Sequence, residues 1–284
     1  MPLKRSRIGY DGTGANGLPV RHYQWEPFGW GCSIKCMAPA KCWAERLAPR
    51  AATAMKLTCP KCLRFEPHTH PERYIELSQH RKAAVILTCF HSDIADPRRE
   101  AMAMAEVLHQ IRAAKRHTVV LLTKRPDILA EDARWPIDNA YIGVTIRNQA
   151  DADRLLPDFL RIPGKKWISY EPAWGGVNWR HRLRPSRSAL AEECRGMFGP
   201  HAVLPTIAGI ILGHDNRGGA EGTGTLEHIR GTIAQCKAAG VRYWTKQVWW
   251  KGRLLRASHP AERAAMPSDL VDGLLPWPAP GEND

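Results

Sequence analysis

The stretch TVVLLTKRP, residues 118–126, decides the fold class of this chain. Four consecutive apolar residues, Val119–Leu122, are followed at once by a threonine, two cations and a proline. A short apolar run without polar alternation is typical of a parallel strand that is buried on both faces. The run therefore predicts a buried strand over Thr118–Thr123 with reactive side chains at its carboxyl end.

Similar runs recur on both sides of this strand, separated by helical patterns. The predicted strands are Arg21–Glu26, Ala84–Cys89, Thr118–Thr123, Ala140–Ile146, Lys166–Glu171, Ile207–Gly213 and Val241–Gln247. Apolar residues at helical spacing predict amphipathic helices around Met104–Ile111, Ala152–Phe159 and Leu226–Cys236. This alternation predicts an α/β fold, either doubly wound or a (β/α) barrel.

The flanks of this pattern differ from its centre in composition. We expect a flexible basic leader over 1–19, a single domain over 20–256, and a proline-rich, loosely attached tail over 257–284. No apolar run approaches the roughly 20 residues of a membrane helix, and no signal peptide precedes the domain. We therefore expect a cytoplasmic protein that does not act on a membrane.

The charge balance is strongly basic. The 284 residues include 41 Lys+Arg and 28 Asp+Glu, a formal net charge of +13, and 44% are hydrophobic, which excludes wholesale disorder. Such an excess favours an anionic partner, such as DNA, RNA or a nucleotide. The densest basic stretch, Trp179–Arg187, is either a nucleic-acid contact or a solvated loop.

Polar side chains follow nearly every predicted strand. They are Ser92, Asp93, Lys124, Arg125, Thr145, Arg147, Glu171, His214, Asp215, Lys246 and Gln247. Because the carboxyl ends of parallel strands form the site face of α/β folds, we expect these side chains to converge on one pocket. Glu171 either pairs with a cation such as Lys124 or binds a ligand, and the Lys124–Arg125 pair is either functional or a simple ion-pair partner.

Three of the eight cysteines cluster on the loop after the first predicted strand. Cys32, Cys36 and Cys42 suit an iron–sulfur cluster with one open iron or a zinc ion completed by a fourth ligand; otherwise they are reduced thiols. The isolated Cys89, Cys194 and Cys236 are expected to be small buried hydrophobes.

A second group of metal-binding residue types follows closely. Cys59 and Cys62, with His68 and His70, form a compact Cys-x2-Cys-x5-His-x-His pattern typical of a zinc clip. The alternatives are a turn with incidental cysteines, or a contribution to the neighbouring three-cysteine site.

Taken in order, the motifs resemble those of a phage and prophage three-cysteine-motif family, the gp thirty-seven/gp sixty-eight family, which is itself similar to radical S-adenosylmethionine enzymes. The resemblance covers about Trp25–Trp250. It is carried by Gly31-Cys32 through Cys42-Trp43-Ala44-Glu45, His70-Pro71-Glu72-Arg73, Ser92-Asp93, Leu122–Pro126, Ile142–Thr145, Ser169–Pro172, Gln235–Val241 and Thr245–Gln247.

The resemblance implies a partial (β/α) barrel of six to seven parallel strands with irregular insertions. It also implies a 4Fe–4S cluster on Cys32, Cys36 and Cys42, S-adenosylmethionine at the open iron and an external electron donor. From their strand-end positions we expect Lys124, Glu171 and Lys246 to be catalytic. The residues expected to bind the cofactor are Ser92, Asp93, Thr145, Glu171, Lys124 and Arg125.

The predicted function is therefore a radical S-adenosylmethionine enzyme acting on a nucleotide, a nucleic acid or another anionic substrate. The first alternative is a zinc-stabilised nucleic-acid-binding protein without redox chemistry, favoured by the net charge and the clip at 59–70. The second alternative is a hydrolase that uses metal-bound water at the same pocket.

Overall fold

The computed structural model describes residues 3–6, 8–34, 42–54, 58–179, 182–183, 207–215 and 225–280. Over these residues the protein is a mixed α/β structure built on a nine-stranded, mostly parallel sheet. Cys36, Cys194 and most of the basic stretch 180–187 lie outside the described residues.

All seven predicted strands are present and lie side by side in the sheet. The strands of the chain are β1 Lys4–Arg5, β2 Gly12–Thr13, β3 Pro19–Val20, β4 His22–Trp25, β5 Val85–Thr88, β6 Thr118–Thr123, β7 Ala140–Thr145, β8 Lys165–Tyr170, β9 Ile207–Gly213, β10 Arg242–Trp250 and β11 Arg253–Arg256. The strands β4 to β10 are parallel, β1 and β11 pair antiparallel at the two edges, and β2 with β3 forms a separate hairpin.

Consecutive parallel strands are always neighbours in this sheet. A doubly wound fold reverses its strand order partway along the sheet, and this sheet has no such reversal over the described strands. No pairing joins the edge strands β1 and β11 within the described chain, so the sheet is not closed there by hydrogen bonds. The parallel strands are buried as their apolar runs predict; in β5 every residue is buried.

The helices are α1 Trp43–Ala54, α2 Pro60–Leu63, α3 Glu76–Gln79, α4 Ala101–Ala113, α5 Pro126–Ala130, α6 Gln149–Arg161, α7 Leu226–Ala239 and α8 Pro260–Ala264. The three predicted amphipathic helices correspond to α4, α6 and α7 and are confirmed. Asn148 caps α6 by accepting a hydrogen bond from the Asp151 amide, and Cys236 is buried on α7. No described helix is long and apolar enough to span a bilayer.

The described residues of both flanks include ones packed against the sheet, where a flexible leader and a loose tail are expected from composition. Tyr10 is 3% exposed and Trp277 is fully buried. The two segments also bond each other, since the Ala15 amide donates to the Trp277 carbonyl at 2.9 Å and the Leu275 amide donates to the Thr13 carbonyl at 2.8 Å. Single aromatic anchors, which average composition does not register, hold these polar segments in place.

Candidate functional sites: a cationic cavity and a Cys2His2 group

A cavity of about 1220 Å³ opens at the carboxyl ends of the seven parallel strands. Residues that lie in or after each of these strands contribute to its wall, as the strand-end pattern predicts. Those contributions, from β4 to β10, include Trp30 and Cys42, His91, Lys124 and Arg125, Thr145 and Arg147, Ser169 and Glu171, His214 and Asp215, and Lys246 and Gln247.

The wall is strongly positive. Nine Lys or Arg residues line it against three Asp or Glu residues. Much of that charge is neutralised locally, because six of the nine cations have a carboxylate partner. These pairs are Arg5–Asp11, Arg125–Asp127, Arg147–Asp151, Arg154–Asp151, Lys246–Glu171 and Arg256–Glu262. The remaining excess gives the cavity the electrostatics of an anion-binding site.

Glu171 joins Tyr10 and Lys246 in one polar group of the cavity. Its Oε2 accepts a hydrogen bond from the Tyr10 hydroxyl at 2.6 Å, and its Oε1 lies 3.0 Å from Lys246 Nζ. The cationic partner of Glu171 is thus Lys246, and not the Lys124 considered from the sequence. Burial, followed by the Glu171 charge, raises the pKa of Tyr10 well above its usual range, so Tyr10 remains a neutral donor.

Ser92 and Asp93, expected to bind a cofactor, are not among the described residues that line the cavity. Asp93 is buried and accepts hydrogen bonds from the Thr123 hydroxyl at 2.7 Å, the Lys124 amide at 2.8 Å and the Ala95 amide at 2.9 Å. These bonds tie the end of β5 to the end of β6. The structure therefore gives Asp93 a role in holding strand ends together.

Cys32 and Cys42 follow β4 in the chain and share one packing environment. Both pack against a small apolar cluster that contains Trp30, Ala48 and Cys62, and Cys42 reaches the cavity wall. The Ile34 amide donates to Cys32 Sγ at 3.3 Å. Burial, and then the Asp93 carboxylate, raise the pKa of the Cys32 thiol, so this sulfur needs a positive charge nearby to become a thiolate.

Several cavity residues carry no motif and were missed in the sequence. Tyr10 reaches the cavity from the supposed leader, and Arg256 reaches it from β11. Trp30 stacks on His91 with ring centroids 3.9 Å apart, and Glu26 fixes that histidine, its Oε1 lying 3.1 Å from His91 Nδ1. A lone aromatic within a glycine-rich polar segment is the only local signal that could have marked Tyr10.

The sequence-predicted clip is brought together as a Cys2His2 group that could hold a metal ion such as zinc. One ligand atom from each of Cys59, Cys62, His68 and His70 lies within 4.8 Å of all the others. Cys62 Sγ lies 3.3 Å from His68 Nε2 and 3.4 Å from His70 Nε2, and Cys59 Sγ lies 3.5 Å from His68 Nε2.

The other ring nitrogen of each histidine has its own acceptor. His68 Nδ1 lies 2.7 Å from the Glu66 carbonyl oxygen, and His70 Nδ1 lies 2.6 Å from Glu72 Oε1. Burial is the main cause that lowers the pKa of both histidines, which favours the neutral rings that bind metals.

Comparison with known proteins gives one match. A family model described as "Protein of unknown function (DUF5131)" matches residues 19–272, which include the Cys2His2 group, every parallel strand and the wall residues that those strands contribute, but not Tyr10. Neither the curated proteins nor the solved structures contain a significant match.

Proposed function

Since the chain belongs to the DUF5131 family, whose description names no activity, we propose its function from its own geometry: a radical S-adenosylmethionine enzyme whose active site is the cavity at the strand ends. We further propose that the sheet curls into a partial (β/α) barrel around that cavity. The observation that carries the proposal is the presence of Cys42 in the cavity wall, with Cys32 packed against the same small apolar cluster as Cys42. The spatial convergence of seven strand ends on this wall supports it.

The thiols fit a cluster by their chemistry. Cys32 and Cys42 are soft ligands on one loop, and the chain places Cys36 between them in sequence. The amide of Ile34 already donates to Cys32 Sγ, which is the kind of hydrogen bond that stabilises a cluster thiolate. When bound there, a 4Fe–4S cluster would supply the single electron that cleaves S-adenosylmethionine and yields a carbon radical.

The residues of the chain would bind and orient the cofactor and substrate and shield the reaction from water. Lys246, which is paired with Glu171, would offer its ammonium group to a carboxylate or phosphate of the cofactor or substrate. Arg147 lines the same cavity after β7, and β8 lies between β7 and the strand of Lys246 in the sheet. Trp43 and the stacked Trp30 offer apolar faces that exclude water from reactive intermediates. The positive wall favours an anionic substrate, such as a nucleotide or nucleic acid.

The test begins with protein that is purified without oxygen and reconstituted with iron and sulfide. We expect about four irons and four sulfides per chain, and a reduced EPR signal that S-adenosylmethionine perturbs. Cys32→Ala and Cys42→Ala should each lose the cluster. The control is Cys236→Ala, which removes a fully buried thiol on α7 that does not line the cavity and should keep the iron. Iron retained in both loop variants would overturn the proposal.

A second candidate is a zinc-stabilised nucleic-acid-binding protein, favoured by the Cys2His2 group and the positive cavity wall. Its signature would be zinc without iron after reconstitution, together with nucleic-acid binding that weakens steeply as salt is added. The same metal analysis therefore separates the two functions.

A further inference from the structure

We infer that Cys59, Cys62, His68 and His70 form a closed, structural zinc site that fixes the segment 27–32 against the cavity. The inference does not depend on the proposed function, because it concerns a different set of ligands and a different metal. Its consequence for the cavity is that a bound metal would hold one part of the wall in place.

The spacing of the donor atoms matches tetrahedral zinc. With Zn–S near 2.3 Å and Zn–N near 2.05 Å, tetrahedral angles place sulfur about 3.6 Å from nitrogen and two nitrogens about 3.3 Å apart. The closest sulfur–nitrogen pairs lie at 3.3, 3.4 and 3.5 Å, and the two Nε2 atoms lie 2.9 Å apart. These four of the six donor pairs agree to within about half an ångström, and all four donor atoms lie within 4.8 Å of one another.

The histidine hydrogen bonds leave the site in need of a cation. His68 Nδ1 and His70 Nδ1 each face an acceptor, the Glu66 carbonyl oxygen and the Glu72 carboxylate, so each carries the proton of its neutral ring. Both Nε2 atoms then present lone pairs to each other at 2.9 Å. Two facing lone pairs repel, and a metal ion between them and the sulfurs turns that repulsion into coordination.

The ligand count makes the site structural. Four protein ligands fill a tetrahedral zinc and leave no position for water or substrate. Two thiolates balance the charge of the ion, so the group is neutral overall. The site is also shielded, since Cys62 is fully buried and the His70 side chain is 12% exposed.

The clip packs directly against the segment that leads to Cys32. The Trp30 amide donates to Cys62 Sγ at 3.4 Å, and the His70 amide donates to the Pro27 carbonyl at 3.0 Å. Gly29, at a φ of +65°, comes so close that a Cβ there would lie 2.8 Å from Cys62 Sγ and 2.5 Å from the His70 ring. Only glycine allows this approach.

The same segment continues into the cavity wall. The Gly31 amide donates to the His91 carbonyl at 3.1 Å, and the Trp30 ring stacks on the His91 ring. Trp30 and His91 both line the cavity, and Cys32 follows directly in the chain. Metal binding at the clip therefore holds one side of the cavity through contiguous backbone contacts.

The site itself is tested by elemental analysis and X-ray absorption on the full chain. We expect about one zinc per chain, with two sulfur neighbours near 2.3 Å and two nitrogen neighbours near 2.05 Å. Cys59→Ser, at the less buried ligand, should lose zinc, whereas Cys236→Ser and Cys32→Ser should retain it. Should Cys59→Ser not fold, zinc titration of chelator-treated wild type with the same absorption readout decides the point. A zinc-free protein that takes up no zinc, or a zinc shell without sulfur, would overturn the site.

The coupling to the cavity is tested by hydrogen exchange of wild type before and after zinc removal by a chelator. We expect exchange to increase at least tenfold in residues 59–70 and also in 27–32, while β6 and β7 stay protected. An increase confined to 59–70 would overturn the coupling and leave the zinc site standing. Zinc lost with no change in 59–70 would show that the metal has no structural role.

Discussion

Gly31→Ala should destabilise the protein more than its single added methyl group suggests. A Cβ at this position would lie 2.0 Å from the Glu66 carbonyl oxygen and 2.5 Å from its carbon, both backbone atoms. An ordinary contact needs about 3.5 Å, so the two backbone segments must separate by roughly 1.5 Å. Overpacking of this kind costs about 1–3 kcal/mol, and weakening the Gly31–His91 hydrogen bond adds about 1 kcal/mol.

The expected loss is therefore about 2–4 kcal/mol in the free energy of unfolding, measured by urea titration with zinc in excess so that metal binding is constant. The matched control is Gly231→Ala on α7, where an added Cβ meets nothing within 4 Å. That variant should gain about 0.5–1 kcal/mol, because alanine is the better helix former. Equal midpoints and slopes for Gly31→Ala and wild type would refute the close packing of the clip against residues 29–31.

Three further predictions concern buried polar groups. Tyr10→Phe removes the donor to Glu171 and should cost about 1.5–3 kcal/mol in urea unfolding; no loss would mean that the amino-terminal segment does not pack there. Asp93→Asn places an amide among amide and hydroxyl donors and should cost a similar amount, about 1.5–3 kcal/mol, whereas unchanged stability would return Asp93 to the cofactor-binding role predicted from the sequence. Burial lowers the pKa of His117 to about 4, below its unfolded value, so its contribution is complete above pH 6.5 and is lost as the pH falls toward 4. His117→Gln should flatten the pH dependence of unfolding in that window by up to about 1.4 kcal/mol per pH unit, and an unchanged slope would contradict the assignment.

The sheet is the part of the fold that the sequence predicts best. The strands Thr118–Thr123 and Ile207–Gly213 have the predicted bounds. A short apolar run without alternation is typical of a strand that is buried on both faces, which makes its position easy to predict. The flanks were misjudged for the opposite reason. Tyr10 is buried among distant aromatic rings such as Trp167 and bonds Glu171, 161 residues away, and no local pattern records partners so distant.

The site residues divide in the same way. Strand-end position correctly brought Lys124, Thr145 and Lys246 to one cavity, because the backbone topology sets where strand ends meet. It does not show which way each side chain turns, so it predicts Asp93 in the cavity wall, whereas Asp93 bonds the end of β6 and does not line the cavity. The clip at 59–70 was predictable as a candidate because four residues of metal-binding type stand at close spacing, and the fold brings them together.

The pairing of residues 13–15 with 275–277 has a consequence for synthesis. A ribosome adds about 5–20 residues per second, so residues 275–277 are synthesised tens of seconds after residues 13–15, to which they bond. Throughout that interval the aromatic side chains of the early segment lack the Trp277 ring that covers them in the finished protein. Contacts of such high sequence separation form slowly. The nascent chain thus carries an uncovered apolar surface until residues 275–277 arrive, and a chaperone that binds such surfaces would find its target around Tyr10.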